Sequence, residues 1–99
     1  MATVRWTQRA LGDLREINDF IARDSARAAE AMVGRIQRAT DRLALFPESG
    51  RVMPEFPKLR YREIIVANYR VLYKIESDTV WITAIVHGRR QLGEGTEGS

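Results

Sequence analysis

Three β-branched runs follow one another between Arg60 and Arg90, in LRYREIIVANYRVLYKIESDTVWITAIVHGRR read from Leu59. The runs are Tyr61 to Val66, Tyr69 to Ile75, and Val80 to Val86 or His87. They are parted only by Ala67-Asn68 and by Glu76-Ser77-Asp78-Thr79. Consecutive strands with such tight turns form an antiparallel meander. Asn68 suits the first turn because asparagine tolerates the positive φ that two-residue hairpins need. Arginines stand at the start, middle and end of this stretch, as Arg60, Arg62, Arg70, Arg89 and Arg90. His87, the single histidine of the chain, lies just before the last pair.

The residues upstream are read as the support for that sheet. Thr3 to Trp6 places Val4 and Trp6 on one side of a pleat and predicts a first strand at a sheet edge. Thr7 can then cap a helix whose apolar face is Ala10, Leu14, Ile17 and Ile21, flanked by Leu11 and Phe20. Asp24-Ser25 breaks the pattern and can cap a second helix with the stripe Ala29, Met32, Val33, Ile36, Thr40 and Leu43. The short break implies an antiparallel helical hairpin. Pro47 stops the second helix, Gly50 can take a positive φ, and Val52 to Lys58 reads as a loop around Pro54 and Pro57. The expected fold is α+β: a strand, a helical hairpin, then a three-stranded meander. One domain is expected over residues 1–92, with a flexible polar tail at 93–99.

Composition narrows the function classes. At 99 residues, 44% hydrophobic and 29% charged, the chain is an ordinary globular domain. Its net charge of +3 permits an acidic partner without requiring one. Absence of cysteine fits a reducing cytoplasm, and with one histidine it argues against a structural metal site. No apolar run approaches the roughly 18 residues of a membrane span, and the N-terminus lacks the apolar core of a signal peptide. A cytoplasmic protein without cofactor, metal or membrane partner is expected.

Strand alternation makes a further statement. Tyr69, Val71, Tyr73 and Ile75 share one face of their strand; Arg70, Leu72 and Lys74 share the other. In the last strand Val80, Ile82, Ala84 and Val86 oppose Trp81, Thr83, Ile85 and His87. Both faces are partly apolar, whereas a sheet with one wet face alternates more cleanly. One helical hairpin covers one face. The other, carrying Leu72 with Trp81 and Ile85, is expected to meet a partner protein. The alternative is that the loop from Pro47 to Lys58 folds over it.

In their order, several pieces resemble the RelE/ParE superfamily of type II toxin–antitoxin toxins. They are Trp6-Thr7 with Ala10 and Asp13-Leu14, then Ile17, Phe20 and Ile21, Leu45-Phe46-Pro47 through Gly50-Arg51, Tyr61-Arg62-Glu63, Tyr69-Arg70-Val71-Leu72-Tyr73, and Ile85 to Arg90. The resemblance spans roughly residues 3–92 and implies a toxin neutralised by a cognate antitoxin. It carries Arg62, Arg70, Leu72, His87, Arg89 and Arg90 as candidate residues for binding the antitoxin or the target.

Two branches imply different chemistry. RelE-like toxins cut messenger RNA on the ribosome without a metal, using cations to clamp the phosphate and a group that accepts a proton. On that reading Arg62, Arg70, His87 and Arg90 are the catalytic candidates. Ile64 stands where a second lysine would be, and the late tyrosine has no counterpart. ParE-like toxins inhibit DNA gyrase and need no hydrolytic set; the ending His87-Gly88-Arg89-Arg90 is similar to theirs. The ParE-like reading is favoured. Each candidate also has a plain structural role open to it: Arg70 can pair with Glu63 across the hairpin, and His87 can be a strand-end histidine.

Overall fold

The computed structural model of the chain describes residues 1–88, apart from the side chain of Pro57. Strand β1 (Thr3–Trp6) leads into helix α1 (Gln8–Ala22), followed by helix α2 (Ala26–Asp41) and a 3₁₀ turn at Arg42–Ala44. Then come β2 (Arg51–Val52), a 3₁₀ turn at Pro57–Leu59, β3 (Arg62–Val66), β4 (Tyr69–Glu76) and β5 (Thr79–His87). The sheet order is β1-β5-β4-β3-β2. β1 runs parallel to β5 at one edge, with the helical hairpin as the crossover between it and the meander. The expected tail at 93–99 and the pair Arg89-Arg90 lie outside the described residues.

Both helix starts follow from hydroxyl caps. Thr7 Oγ1 accepts from Ala10 N at 3.0 Å, and Ser25 Oγ accepts from Ala28 N at 3.0 Å. The apolar stripes then turn inward: Ala10 and Ile17 of α1, and Ala29, Ile36, Ala39 and Thr40 of α2, are buried. Against one face of the sheet Ala10, Ile17, Ile36 and Ala39 form a core with Leu43, Val66, Val71, Tyr73, Val80, Ile82 and Ile85.

The structure departs from the sequence expectation in three places. β2 is a strand of two residues, begun within a segment read as the lead into a loop. It is held by pairing Arg51 with Glu63 and Val52 with Arg62. The second departure lies in β5. Val71 pairs with Ile85 and Leu72 with Ala84, but Tyr73 pairs with Ile82, so Thr83 is an extra residue in the ladder. Such a bulge reverses the side-chain alternation beyond it. Ile82 and Ile85 therefore share the helix-side core, while Ala84 joins Leu72 on the outer face. Ile85 is removed from the face on which alternation had placed it. Thr83 Oγ1 donates to Leu72 O at 3.2 Å, and Thr83 O accepts from Thr7 Oγ1 at 3.1 Å, which fixes the irregularity at the base of α1.

The third departure is the outer face itself. Met53, Leu72 and Ala84 form a second buried cluster, with Phe56 and Tyr61 packed against it. The segment from Met53 to Tyr61 crosses over the sheet as a strap, tied by Met53 N donating to Tyr61 O at 2.9 Å. Leu72 is 5% exposed. The chain's own loop, and not a partner, covers this part of the outer face. Farther along, the Arg5 guanidinium lies 5.7 Å from the Trp81 ring centroid and shields it.

Candidate functional site

Arg70 lies on the outer face of β4, opposite Ile65 on one side and Val86 on the other. Its Nε donates to Glu63 Oε1, and its two terminal nitrogens form a fork with Glu55, at 2.9 Å from Nη1 to Oε2 and 3.0 Å from Nη2 to Oε1. The second oxygen of Glu63 accepts from Arg51 Nε. The Glu63 side chain is wholly out of water. A carboxylate so placed is tolerated only when paired and hydrogen-bonded, which two arginines accomplish. The guanidinium of Arg70 holds the Glu55 carboxyl below its usual range, and Glu55 followed by Glu63 raises Arg70 further. Chemically, this network fastens β2, β3, β4 and the strap together. The charge that a phosphate would need from Arg70 is already met by two carboxylates.

Arg62 has a comparable role on the other face. Its Nη1 donates to Gly50 O at 2.7 Å and to Glu48 O at 3.1 Å. Its cross-strand neighbour Tyr73 donates to Pro47 O at 2.7 Å and accepts from Gly50 N at 2.9 Å. Together they hold the turn that follows Pro47. A Cβ at Gly50 would lie 2.6 Å from both Glu63 O and Tyr73 Oη, so no larger residue fits without movement. Burial raises the Tyr73 hydroxyl above its ordinary pKa.

His87 ends β5 with its ring edge-on to Tyr69, centroids 6.1 Å apart, and is exposed. It lines a groove of about 600 Å³ between α1 and the end of β5, together with Asp13, Ile17, Phe20, Tyr69 and Ile85. The groove is built by Asp13, whose Oδ2 accepts from Ile85 N at 2.9 Å and from Arg9 Nε at 3.0 Å. An α1 side chain thus satisfies a strand-edge donor where β1 has already ended. Phe20 is 65% exposed at the groove, with the Arg23 guanidinium 5.8 Å from its ring centroid. Apolar walls with charges of both signs suit an amphipathic polypeptide better than a small anion.

The sequence candidates therefore do not converge. Arg62 lies opposite Tyr73 and His87 opposite Tyr69, and those partners stand four residues apart on β4. That is ~13 Å along the strand alone. Arg70 faces away from both, under the strap. Leu72 is enclosed by Met53, Phe56 and Tyr61. Arg89 and Arg90 lie outside the described residues. No group of three or more residues placed to hold a metal occurs among the described residues. Sequence reading missed Glu55, Arg51 and the exposed Phe20 with Arg23. The available signal was Glu63 itself, a carboxylate inside the apolar run REIIV, which demands a cationic partner and further hydrogen bonds if buried.

The fold and this arrangement define a small α+β domain with interaction surfaces. Residues 4–92 match the family described as the ParE toxin of the type II toxin–antitoxin system parDE. Toxin RelE2 of Caulobacter vibrioides is 40% identical over 91 residues, covering 91% of this chain and 99% of that protein. The protein Y4kP of Sinorhizobium fredii is 41% identical over 90 residues, covering 89% and 90% of the two chains. A solved chain of the chromosomal ParDE system from P. aeruginosa has the same fold, with a TM-score of 0.74 at 18% identity over 88% of this chain and 96% of that one. The chain belongs to the ParE toxin family of type II toxin–antitoxin systems.

Proposed function

We propose that this toxin is held inactive by a cognate antitoxin and, when released, inhibits DNA gyrase without hydrolysing a substrate. The observation that carries the gyrase reading is the dispersal of the cationic candidates. Phosphoryl cleavage needs cations and a proton acceptor within a few ångströms of one phosphate. Here Arg70 is neutralised by Glu63 and Glu55, Arg62 is turned to backbone carbonyls, and His87 stands apart from both. Ile64 stands where a nuclease of the superfamily would carry a lysine.

The antitoxin reading is supported by the groove between α1 and β5. Phe20, Ile17 and Tyr69 offer an apolar seat, while Arg9 and Arg23 offer charge to acidic residues of an incoming segment. Coupled folding of such a segment would bury the exposed Phe20 ring. The name RelE2 of one relative favours the second reading, a ribosome-dependent endoribonuclease using Arg62, Arg70, His87 and Arg90.

The test is induction of the toxin in cells that lack the antitoxin. Gyrase inhibition predicts filamentation, a DNA damage response and trapped cleavage complexes. Immediate translation arrest with cut messages and undisturbed supercoiling would overturn the reading.

A further inference from the structure

Beside the bulge at Thr83 lies a hollow on the outer face. Leu72 pairs with Ala84 across β4 and β5, and Ala84 brings only a methyl group to the space beneath the strap. The hollow has a volume of about 230 Å³. Leu72, Ala84 and Val86 form its floor, and Met53, Phe56 and Tyr61 of the strap form its wall. Met53 and the three floor residues are buried.

Arg9 reaches this hollow from the opposite layer. α1 buries Ala10 and Ile17 on the inner face of the sheet. However, β1 pairs with β5 only as far as Ile82, so Arg9, in the first turn of α1, lines the outer side across the open edge beyond it. Its Nε donates to both oxygens of Asp13, at 3.1 and 3.0 Å. Its two terminal nitrogens make no hydrogen bond among the described residues, and its side chain is 62% exposed. Arg9 is the charged member of the lining. The hydroxyl inside is already engaged, since Thr83 Oγ1 donates to Leu72 O at 3.2 Å. The hollow is thus apolar within and carries a cation at its wet rim.

We propose that this hollow binds a small aromatic carboxylate. Its ring would rest on Leu72 and Ala84 against Phe56 and Tyr61, and its carboxylate would pair with the terminal nitrogens of Arg9. Size sets the class: an apolar cavity of about 150 Å³ takes benzene, so this one takes a single ring with a tail of about two or three atoms. The two strap rings favour an aromatic guest, and the planar guanidinium favours a carboxylate. A nucleobase fits poorly, because its polar edges would meet Leu72, Ala84 and Val86 without hydrogen-bond partners. An organic cation would be repelled by Arg9. The inference rests neither on the antitoxin seat nor on the target, although Arg9 borders the groove of α1 and β5 as well.

The test titrates the full chain with phenylacetate and follows the methyl resonances by NMR. Controls are phenylacetamide, phenethylamine, uridine monophosphate and N-acetylphenylalanine amide. Phenylacetate is expected to shift the Met53, Leu72 and Ala84 methyls saturably, with a dissociation constant of about 1 mM or lower for its roughly ten heavy atoms. Phenylacetamide, the same shape without the charge, is expected to bind about tenfold more weakly, and phenethylamine more weakly still. Arg9→Gln is expected to weaken phenylacetate about tenfold and to erase its advantage over the amide, with the urea midpoint retained because the side chain is exposed. Ala84→Leu fills the floor and is expected to abolish binding without lowering the urea midpoint; if that variant does not fold, Arg9→Gln decides. The proposal is overturned if no saturable shift occurs by about ten times the expected concentration, if phenylacetamide binds as tightly as phenylacetate, or if Arg9→Gln leaves the affinity unchanged. Binding that survives Ala84→Leu in a folded protein overturns it as well. Tighter binding of uridine monophosphate or of N-acetylphenylalanine amide also overturns it, by assigning the hollow to a nucleotide or to a side chain of a partner protein.

Discussion

Arg70 of β4 and Glu63 of β3 form an ion pair with both side chains shut away from water, 7% and 0% exposed. Arg51 and Glu55 complete the chain of charges around them. Removing one member strands the others. Arg70→Ala is expected to destabilise the domain by about 3–5 kcal/mol, the usual cost of leaving a buried charge without its partner. Urea denaturation of the wild type, Arg70→Ala and the double change Arg70→Met with Glu63→Met checks this. The double variant should recover most of the loss. An Arg70→Ala protein with wild-type stability would free Arg70 for a direct functional role.

Acid should loosen the strap before it unfolds the sheet. Arg70 holds the Glu55 carboxyl below the ordinary value of 4.5. A group whose folded pKa is depressed contributes stability above its unfolded value and loses it as pH falls through the folded one. The protection of the Met53 amide, whose N–H bonds Tyr61 O, measured against its intrinsic exchange rate at each pH, should therefore fall once pH drops below the ordinary carboxylate range. Glu55→Gln should exchange faster at neutral pH and lose most of that acid dependence.

Alkali should act on the turn after Pro47. The Tyr73 hydroxyl is raised above its ordinary value of 10.0 by burial. Its contribution is complete below the unfolded value and disappears as pH rises through the folded one. Tyr73→Phe leaves Pro47 O and Gly50 N without their partner and is expected to cost about 1–3 kcal/mol. Urea midpoints of the wild type should fall as pH passes above 10.0, while those of Tyr73→Phe should depend less on pH there. Gly50→Ala should be the more damaging change, because its Cβ would press on the Glu63 backbone oxygen.

The element order was legible in the sequence because each signal was local. Thr7 and Ser25 cap where they should, the two helical stripes bury where they should, and Ala67-Asn68 turns the first hairpin. That turn takes its positive φ at Ala67 and not at Asn68, with φ of 54°. What escaped sequence reading was non-local. The bulge at Thr83 depends on hydrogen bonds to Leu72 and Thr7, so nothing in TVWITAIVH announces it. The strap closes over Leu72 because Arg70 reaches Glu55 from fifteen positions away. The pairing of Arg70 with Glu63 was visible as an option, and Glu55 as the third member was not.

Phe20 offers a test of the proposed antitoxin seat that leaves the fold intact. At 65% exposure its ring adds little to the core. Phe20→Asp is expected to change stability by no more than about 0.5 kcal/mol. Loss of an apolar anchor at an interface typically costs about 2 kcal/mol or more, which is roughly a thirtyfold loss of affinity. Titration of the variant against the cognate antitoxin checks both the seat and the pairing.

Ala67 is strained where glycine would not be. A non-glycine residue in the left-handed region costs about 1–2 kcal/mol, and glycine there gives back part of this in chain entropy. Ala67→Gly is expected to stabilise the domain by about 0.5 kcal/mol, read as a rise in the urea midpoint with unchanged slope.

On the proposed reading this toxin acts by binding, with the sheet arginines Arg62 and Arg70 committed to structure. Purified toxin should be assayed in parallel on gyrase supercoiling of plasmid DNA and on messenger RNA in translating ribosomes. Supercoiling should be inhibited with accumulation of cleavage complexes, and messages should be left whole at the same toxin concentration. Cleaved messages with gyrase untouched, and cleavage lost in a stably folded Arg62→Lys or His87→Gln variant, would contradict it.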